Sequence, residues 1–169
     1  MTEPFLRESA VDVVTVRAHI ASLRIAAHRT GGGVRRAVVL GKLGDLLRTV
    51  GDAREAVSVL DRALGETCDD PVVVRMNRVR RAVARMYAGD HAAAESELRS
   101  MTLQWEDCSD GTYLDFAWHH LGQCLAEQGR WSDAERCFER AAALRSGGDP
   151  HLSRSSEIAL ALTRERVLP

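Results

Sequence analysis

The feature that most constrains the fold is the stretch at residues 115–144, DFAWHHLGQCLAEQGRWSDAERCFERAAAL. Its apolar residues recur every three or four positions, a spacing that places them on one face of a helix. Gly122 and Ala134 are small where two antiparallel helices would cross closely, and Gly129 lies between them as a turn. The stretch therefore predicts two helices packed on each other. Its anchor positions are Trp118, Leu121, Gly122, Leu125, Ala134, Phe138 and Ala141.

The same pattern occurs a second time, at residues 37–70, AVVLGKLGDLLRTVGDAREAVSVLDRALGETCDD. A glycine turn again separates the two halves, here at Gly51. Two matches in the same order indicate a repeat rather than coincidence. The anchor positions of this copy are Leu40, Leu43, Gly44, Leu47, Ala56, Leu60 and Ala63.

Both copies resemble the tetratricopeptide repeat. The resemblance implies an all-α fold, a right-handed superhelix of antiparallel helix pairs with about three repeats and a capping helix at each end. The turn glycines Gly51, Gly89 and Gly129 are 38 and 40 residues apart, longer than the usual repeat of about 34. The chain is thus similar to bacterial members with long repeats.

We predict a single domain over residues 1–169. The predicted elements are an N-terminal helix at residues 6–29, repeats at 37–70, 71–110 and 115–148, and a C-terminal cap helix at 151–166. In the cap helix, Ile158, Ala159 and Leu162 are predicted to face inward.

The first helix of the middle repeat needs a turn one residue shorter than the others. Counting back from Gly89 without that change places arginines in the core, where an unpaired charge is costly. With the shorter turn, the inward positions become Val79, Ala82, Val83 and Met86. Arginines then form an outward stripe, which consists of Arg75, Arg78, Arg81 and Arg85.

In proteins that this chain resembles, the first helix of each repeat lines a concave groove that holds a peptide. Carried over position by position, the candidate groove residues are Lys42, Asp45, Arg48, Asn77, Arg80, Tyr87, Phe116, His119, Gln123 and Glu127. Members that bind the C-terminal carboxylate of chaperones carry Lys and Asn at two positions that are Gly41 and Asp45 here. The aspartate would repel that carboxylate, so the resemblance implies a different ligand.

The helix after Pro71 carries five arginines and no acid before Gly89. One interpretation is a solvated face paired with acids of neighbouring helices. The other is a contact surface for an acidic or carboxylate-bearing partner, since guanidinium groups bind carboxylates in a fork.

The sequence carries no signature of catalysis, metal binding or a cofactor. His120 and Cys124 share a helix face, but their spacing is no known metal motif, and four cysteines without a CxxC pair favour a reducing compartment. A net charge of −1 argues against bulk binding to nucleic acid or a membrane. The first ten residues lack the regions of a signal peptide, so we expect a cytoplasmic protein.

Two function classes follow. The first is a non-enzymatic adaptor that binds a protein or peptide in the groove. The second is a regulatory or oligomerising unit, similar to the repeat arrays of bacterial transcription regulators. The N-terminal helix carries two apolar stripes, more than one neighbour would cover, so it either caps the repeat stack or forms a homodimer.

Overall fold

The computed structural model describes residues 4–106 and 111–167, in which eight α-helices and no strand are formed. The predicted all-α fold of helix pairs is confirmed. The helices are α1 Val13–Arg29, α2 Val34–Thr49, α3 Ala53–Gly65, α4 Pro71–Tyr87, α5 His91–Glu106, α6 Leu114–Glu127, α7 Trp131–Arg145 and α8 Pro150–Val167.

The chain forms two compact units. One is Glu8–Asp90, with helices α1–α4, and the other holds the described residues of Met1–Arg7 and His91–Pro169, with α5–α8. The single domain therefore stays a prediction, and each unit is described by itself.

In the first unit, α2 and α3 pack through a glycine against a leucine. A β-carbon on Gly44 would lie 2.5 Å from the Cγ atom of Leu60, closer than any ordinary contact. Leu40, Leu47 and Leu60 are fully buried around this crossing. Asp70 accepts hydrogen bonds from the backbone of Val72 and Val73 and so caps α4.

In the second unit, α6 and α7 repeat this arrangement with a larger partner. A β-carbon on Gly122 would lie 2.8 Å from Cε1 of Phe138, whose ring is fully buried. Leu121 and Leu125 are buried on the same helix. The predicted crossings of both repeats are therefore present.

Three helices, α2, α4 and α6, end in turns of the same type. Gly51, Gly89 and Gly129 have φ angles of 89°, 88° and 76°, a region that side chains with a β-carbon rarely adopt. In each case the glycine N–H and the next N–H donate to carbonyls of the preceding turn, for example Gly129 to Ala126 and Arg130 to Leu125. The turn positions read from the sequence are confirmed.

The inward positions predicted for α4 are confirmed, but the shorter turn predicted at Gly89 is wrong, because Gly89 and Asp90 donate to Met86 and Arg85 at the same spacing as in the other two turns. Val79, Ala82, Val83 and Met86 are all buried. The arginines of the predicted outward stripe are half-buried rather than fully solvated. Within this unit, Arg81 Nη1 lies 3.0 Å from Asp61 Oδ1, the kind of pairing that the first interpretation of these arginines describes.

Two predicted helices differ from the structure. The N-terminal helix begins at Val13, not at residue 6, because Asp12 accepts a hydrogen bond from Thr15 N at 3.0 Å and caps it there. In α8 the inward register is wrong for two residues, since Ile158 and Leu162 are 45% and 37% exposed. The buried positions of α8 are Ser156, Ala159 and Thr163.

Candidate peptide-binding site

The chain's own residues 5–7 lie against α6 of the second unit, on a predicted groove residue. The backbone N–H of Phe5 donates to Glu127 Oε1 at 3.2 Å. Arg7 donates from Nε to Glu127 Oε1 at 2.7 Å and from Nη2 to Oε2 at 2.5 Å. The Glu127 side chain is wholly inaccessible to solvent, whereas that of Arg7 is 22% exposed. A buried carboxylate is thus held by a two-pronged guanidinium bond.

A third group completes the surroundings of this carboxylate. His91 Nε2 lies 2.7 Å from Glu127 Oε2. Burial acts to raise the pKa of Glu127, but the hydrogen bonds from Arg7 and His91 outweigh it and hold the pKa below its ordinary value of 4.5. Glu127 is therefore ionised at neutral pH, and its buried charge requires a cationic partner.

The aromatic ring of Phe5 packs beside this ion pair. Its centroid lies 5.6 Å from that of Trp131, edge to face, and 6.0 Å from that of Phe138. Gln123 Nε2 donates to the carbonyl of Leu6 at 3.2 Å. We call the set of Gln123, Glu127, Trp131 and Phe138 the Glu127 site.

The segment at residues 4–7 alternates in exposure. Phe5 and Arg7 are half-buried, whereas Pro4 and Leu6 are exposed. Leu6 has a φ of 51°, the left-handed region that costs an L-residue about 1–2 kcal/mol. The contacts of its neighbours and of its own carbonyl hold it in that conformation.

In the first unit, residues 8–10 are bound by other predicted groove residues. The N–H of Glu8 donates to Tyr87 Oη at 2.6 Å, and that hydroxyl donates to the Glu8 carbonyl at 3.3 Å. Arg48 Nη2 lies 2.9 Å from Glu8 Oε2, and Ala10 N donates to the Thr49 carbonyl at 2.9 Å. We call Arg48, Thr49 and Tyr87 the Tyr87 site.

Arg48 is buried at the centre of the Tyr87 site. Its guanidinium lies 4.8 Å from the centroid of the Tyr87 ring and 2.9 Å from Asp45 Oδ1. Burial acts to lower the pKa of Arg48, but Asp45, Tyr87 and Glu8 raise it. The site therefore presents a fixed positive charge.

The remaining candidates of the first unit have structural partners or face solvent. Lys42 is exposed. Asn77 is buried and donates to the Ala37 carbonyl at 3.1 Å, in space that Gly41 leaves open. Arg80 Nε lies 3.8 Å from Asp45 Oδ2. Within the described residues, Asn77 Oδ1 and Arg80 Nη1 are buried without a hydrogen-bond partner.

Two candidates of α6 are covered by a contact that sequence reasoning missed. His119 is buried, with Nδ1 3.3 Å from Ser156 Oγ of α8 and 3.3 Å from Nη1 of Arg145. Phe116 lies under the Arg145 guanidinium, 5.0 Å from its ring centroid. His119 therefore does not line an open groove, because α8 covers it. Phe116 is half-buried beside it.

Arg145 links α8 to α6 in this contact. It donates to Asp115 Oδ2 at 2.8 Å and to Ser156 Oγ at 2.8 Å. Burial, followed by the charges of His120 and Arg145, lowers the pKa of His119 to about 2. The His119 ring is therefore neutral and accepts from Arg145. A basic residue just before the 146–150 stop signal was the sequence clue to this contact.

The cysteines of the second unit lack the properties of nucleophiles. Burial raises the pKa of the Cys124 and Cys137 thiols to about 11 each, so both are protonated at neutral pH. In the part of the chain that the structure describes, no three His, Cys, Asp or Glu side chains cluster as metal ligands. None of the helices described is long and apolar enough to cross a bilayer.

A cavity of about 580 Å³ lies elsewhere in the second unit, beside Trp118 and Cys137. The arginines of its lining all have acidic partners: Arg130 and Arg136 share Asp133, Arg99 pairs with Glu95 at 2.8 Å, and Arg140 pairs with Glu106 at 2.6 Å.

Comparison with known sequences agrees with the geometry. Two profiles described as tetratricopeptide repeat match the chain, one over residues 115–147 and the other over residues 39–71. No curated protein sequence matched the chain significantly. The matched segments contain the α6–α7 and α2–α3 pairs with their glycine crossings. The chain thus contains two segments that match the tetratricopeptide repeat, and such repeats generally mediate protein–protein interactions.

Proposed function

We propose that this protein is a non-enzymatic adaptor whose predicted groove residues bind a non-helical segment of a protein or peptide partner. One observation supports this above others. Four of the ten candidate groove residues already hold the non-helical residues 5–8 of the chain itself; they are Arg48, Tyr87, Gln123 and Glu127.

The contacts are of the kind that bind a peptide backbone. Tyr87 bonds both the N–H and the carbonyl of Glu8, and Gln123 bonds the carbonyl of Leu6. Bonds to main-chain groups give affinity without dependence on the ligand's side chain, whereas pockets for alternate side chains supply selectivity.

The charges of the ligand follow from the two sites separately. The Tyr87 site binds the Glu8 carboxylate through Arg48, which supports the expectation of an acidic residue in the ligand. The Glu127 site binds a guanidinium instead. The Tyr87 site therefore favours an acidic residue in its ligand, and the Glu127 site favours a basic one.

The test compares capture by the wild type and by a Tyr87→Phe/Gln123→Ala variant. This variant loses backbone hydrogen bonds but keeps the Tyr87 ring. Proteins captured by the wild type should be lost from it, and calorimetry on an isolated partner should show at least about tenfold weaker binding, from roughly 1 kcal/mol per bond. Leu103→Ala, at a 73% exposed position of α5 outside the predicted groove, is the control. Partners retained by the double variant would contradict the proposal.

A second candidate function, homodimerisation within a regulatory unit, is supported by α1. Val14 and Ile25 lie on one face of this helix and are 81% and 53% exposed. Light scattering after size exclusion on Val14→Glu/Ile25→Glu tests it. A wild-type dimer that the variant converts to a monomer, while Val11→Glu outside the helix does not, would favour this function over the adaptor.

A further inference from the structure

We propose that the Glu127 site recognises an aromatic residue followed two positions later by arginine, and that residues 5–7 are an internal occupant that a partner segment of this chemistry must displace. The inference rests on the proposed function and adds the class of ligand to it. The partner is thus a protein with an exposed aromatic–x–Arg segment.

The arginine position follows from the burial of Glu127. A carboxylate without solvent access must be paired, because leaving such a charge alone is costly. Arg7 meets both of its oxygens, a geometry that the planar guanidinium provides and the single ammonium of lysine does not. His91 already binds one oxygen from the protein side. The ligand therefore has to supply a second, forked donor.

The aromatic position follows from the rings that Phe5 meets. Trp131 presents an edge-to-face contact at 5.6 Å, and Phe138 forms the floor at 6.0 Å. The Phe5 N–H is fixed at the same time by Glu127 Oε1. Ring and backbone are thus placed together, which aliphatic side chains would match only in part.

The middle position selects for backbone rather than side chain. Leu6 is 39% exposed, and its polar contact is that of its carbonyl with Gln123. Its φ of 51° excludes proline, whose φ is fixed near −65°, and favours glycine. The ligand consensus is therefore aromatic–glycine–arginine, and leucine at the middle position is a strained member of the class.

This strain makes the internal occupant displaceable. Leucine is strained in the left-handed conformation, whereas glycine at the middle position of a partner segment is not. The occupant is favoured instead by its tether, which gives it a high effective concentration. Residues 5–7 therefore exclude weakly binding segments from the Glu127 site and are displaced by tightly binding ones.

The experiment measures the fluorescence anisotropy of the amidated pentapeptide EPFLR, the sequence of residues 3–7, which carries a fluorescent label on its N-terminus. It is titrated with the full wild-type chain and with a Phe5→Ala/Arg7→Ala variant, which removes the occupant and leaves the site intact. We expect the variant to bind the peptide at least about tenfold more tightly, because the tethered competitor is gone. Adding Glu127→Gln to that variant should remove the gain.

Peptide variants test the consensus on the same Phe5→Ala/Arg7→Ala protein. A Leu6→Gly peptide should bind as well as the parent or up to about fivefold more tightly, and a Leu6→Pro peptide at least about tenfold more weakly. An Arg7→Lys peptide should also lose at least about tenfold, because it forms one bond to Glu127 instead of two.

Two outcomes would overturn the inference. Equal affinity of the peptide for the wild type and the Phe5→Ala/Arg7→Ala variant would mean that residues 5–7 do not occupy the site in solution, although peptide binding itself would stand. No binding to either protein, or equal binding of the glycine and proline peptides, would refute the aromatic–x–Arg specificity. The proposed function is decided apart from these results, by the Tyr87→Phe/Gln123→Ala comparison.

Discussion

Replacing Gly122 with alanine perturbs the crossing of α6 and α7 by a single methyl group. That β-carbon would lie 2.8, 2.9 and 3.0 Å from three ring carbons of Phe138. The ring cannot swing aside easily, because it is fully buried and also contacts His119 and Phe5, at centroid distances of 5.4 and 6.0 Å. The two helices must therefore separate slightly.

Two opposing effects set the size of the change. Overpacking a close crossing costs about 1–3 kcal/mol. Alanine gains back about 1 kcal/mol over glycine in a helix interior. The difference is about 0–2 kcal/mol, so we expect a net loss of about 1 kcal/mol in the free energy of unfolding, which for a chain of this size lowers Tm by about 2–4 °C. Circular dichroism melts measure it.

Gly65 provides the matched control. It is the last residue of α3, and a β-carbon there would meet no atom within 4 Å in the described structure. Gly65→Ala should therefore leave Tm unchanged or raise it. In addition, Phe138→Leu should cost less in the Gly122→Ala background than alone, because the smaller side chain makes room. If the two alanine variants shift Tm equally, or the double mutant shows no coupling, the crossing is not as close as described.

Three further perturbations have definite outcomes. Glu127→Gln should destabilise the chain by about 1–3 kcal/mol at pH 7, because Arg7 and His91 lose a charged acceptor. Since the folded pKa of Glu127 lies below its ordinary value, this contribution is complete above about pH 4.5 and lost as the pH falls through the folded pKa, so urea unfolding of wild type and variant should converge in acid. His119, with its folded pKa lowered to about 2, should reduce stability by at most about 1.4 kcal/mol per pH unit as the pH falls below its ordinary value of 6.5, and His119→Gln should flatten that slope. Zinc should not raise Tm, since the described residues hold no three-ligand cluster, and a zinc-dependent rise would contradict this.

The helix pairs were predictable because their determinants are local. The crossing of α6 and α7 depends on Gly122 and Phe138, which are 16 positions apart and stand out in the sequence. The register of α4 was predictable for a similar reason, because burying arginines would have been too costly. Helical spacing and the cost of burial sufficed for both.

The N-terminal segment was not predictable in the same way. The helical spacing of apolar residues continues from Leu6 into α1, so periodicity alone extends the helix too far. Asp12 directly before Val13 was the available signal of the true start. The docking of Phe5 and Arg7 on Glu127 has no local signature, because its partners lie more than a hundred residues away.

The burial of His119 was missed because α8 docks through small polar residues. Ser156 and Thr163 are fully buried, whereas the more apolar Ile158 and Leu162 remain exposed. A prediction from hydropathy chooses the opposite face. Tertiary hydrogen bonds of Arg145, not hydrophobicity, decide the register there.

The distance along the chain between Arg7 and Glu127 has a kinetic consequence. These residues are 120 positions apart, and closing a loop of that length costs about 4 kcal/mol of chain entropy, against roughly 2.5 kcal/mol for the crossing of α6 on α7. During synthesis the segment also emerges well before the helices that bind it. We therefore expect residues 5–7 to dock after α6 and α7 have packed. The Glu127 site is complete before its internal occupant arrives, and in that interval it is open to a partner segment.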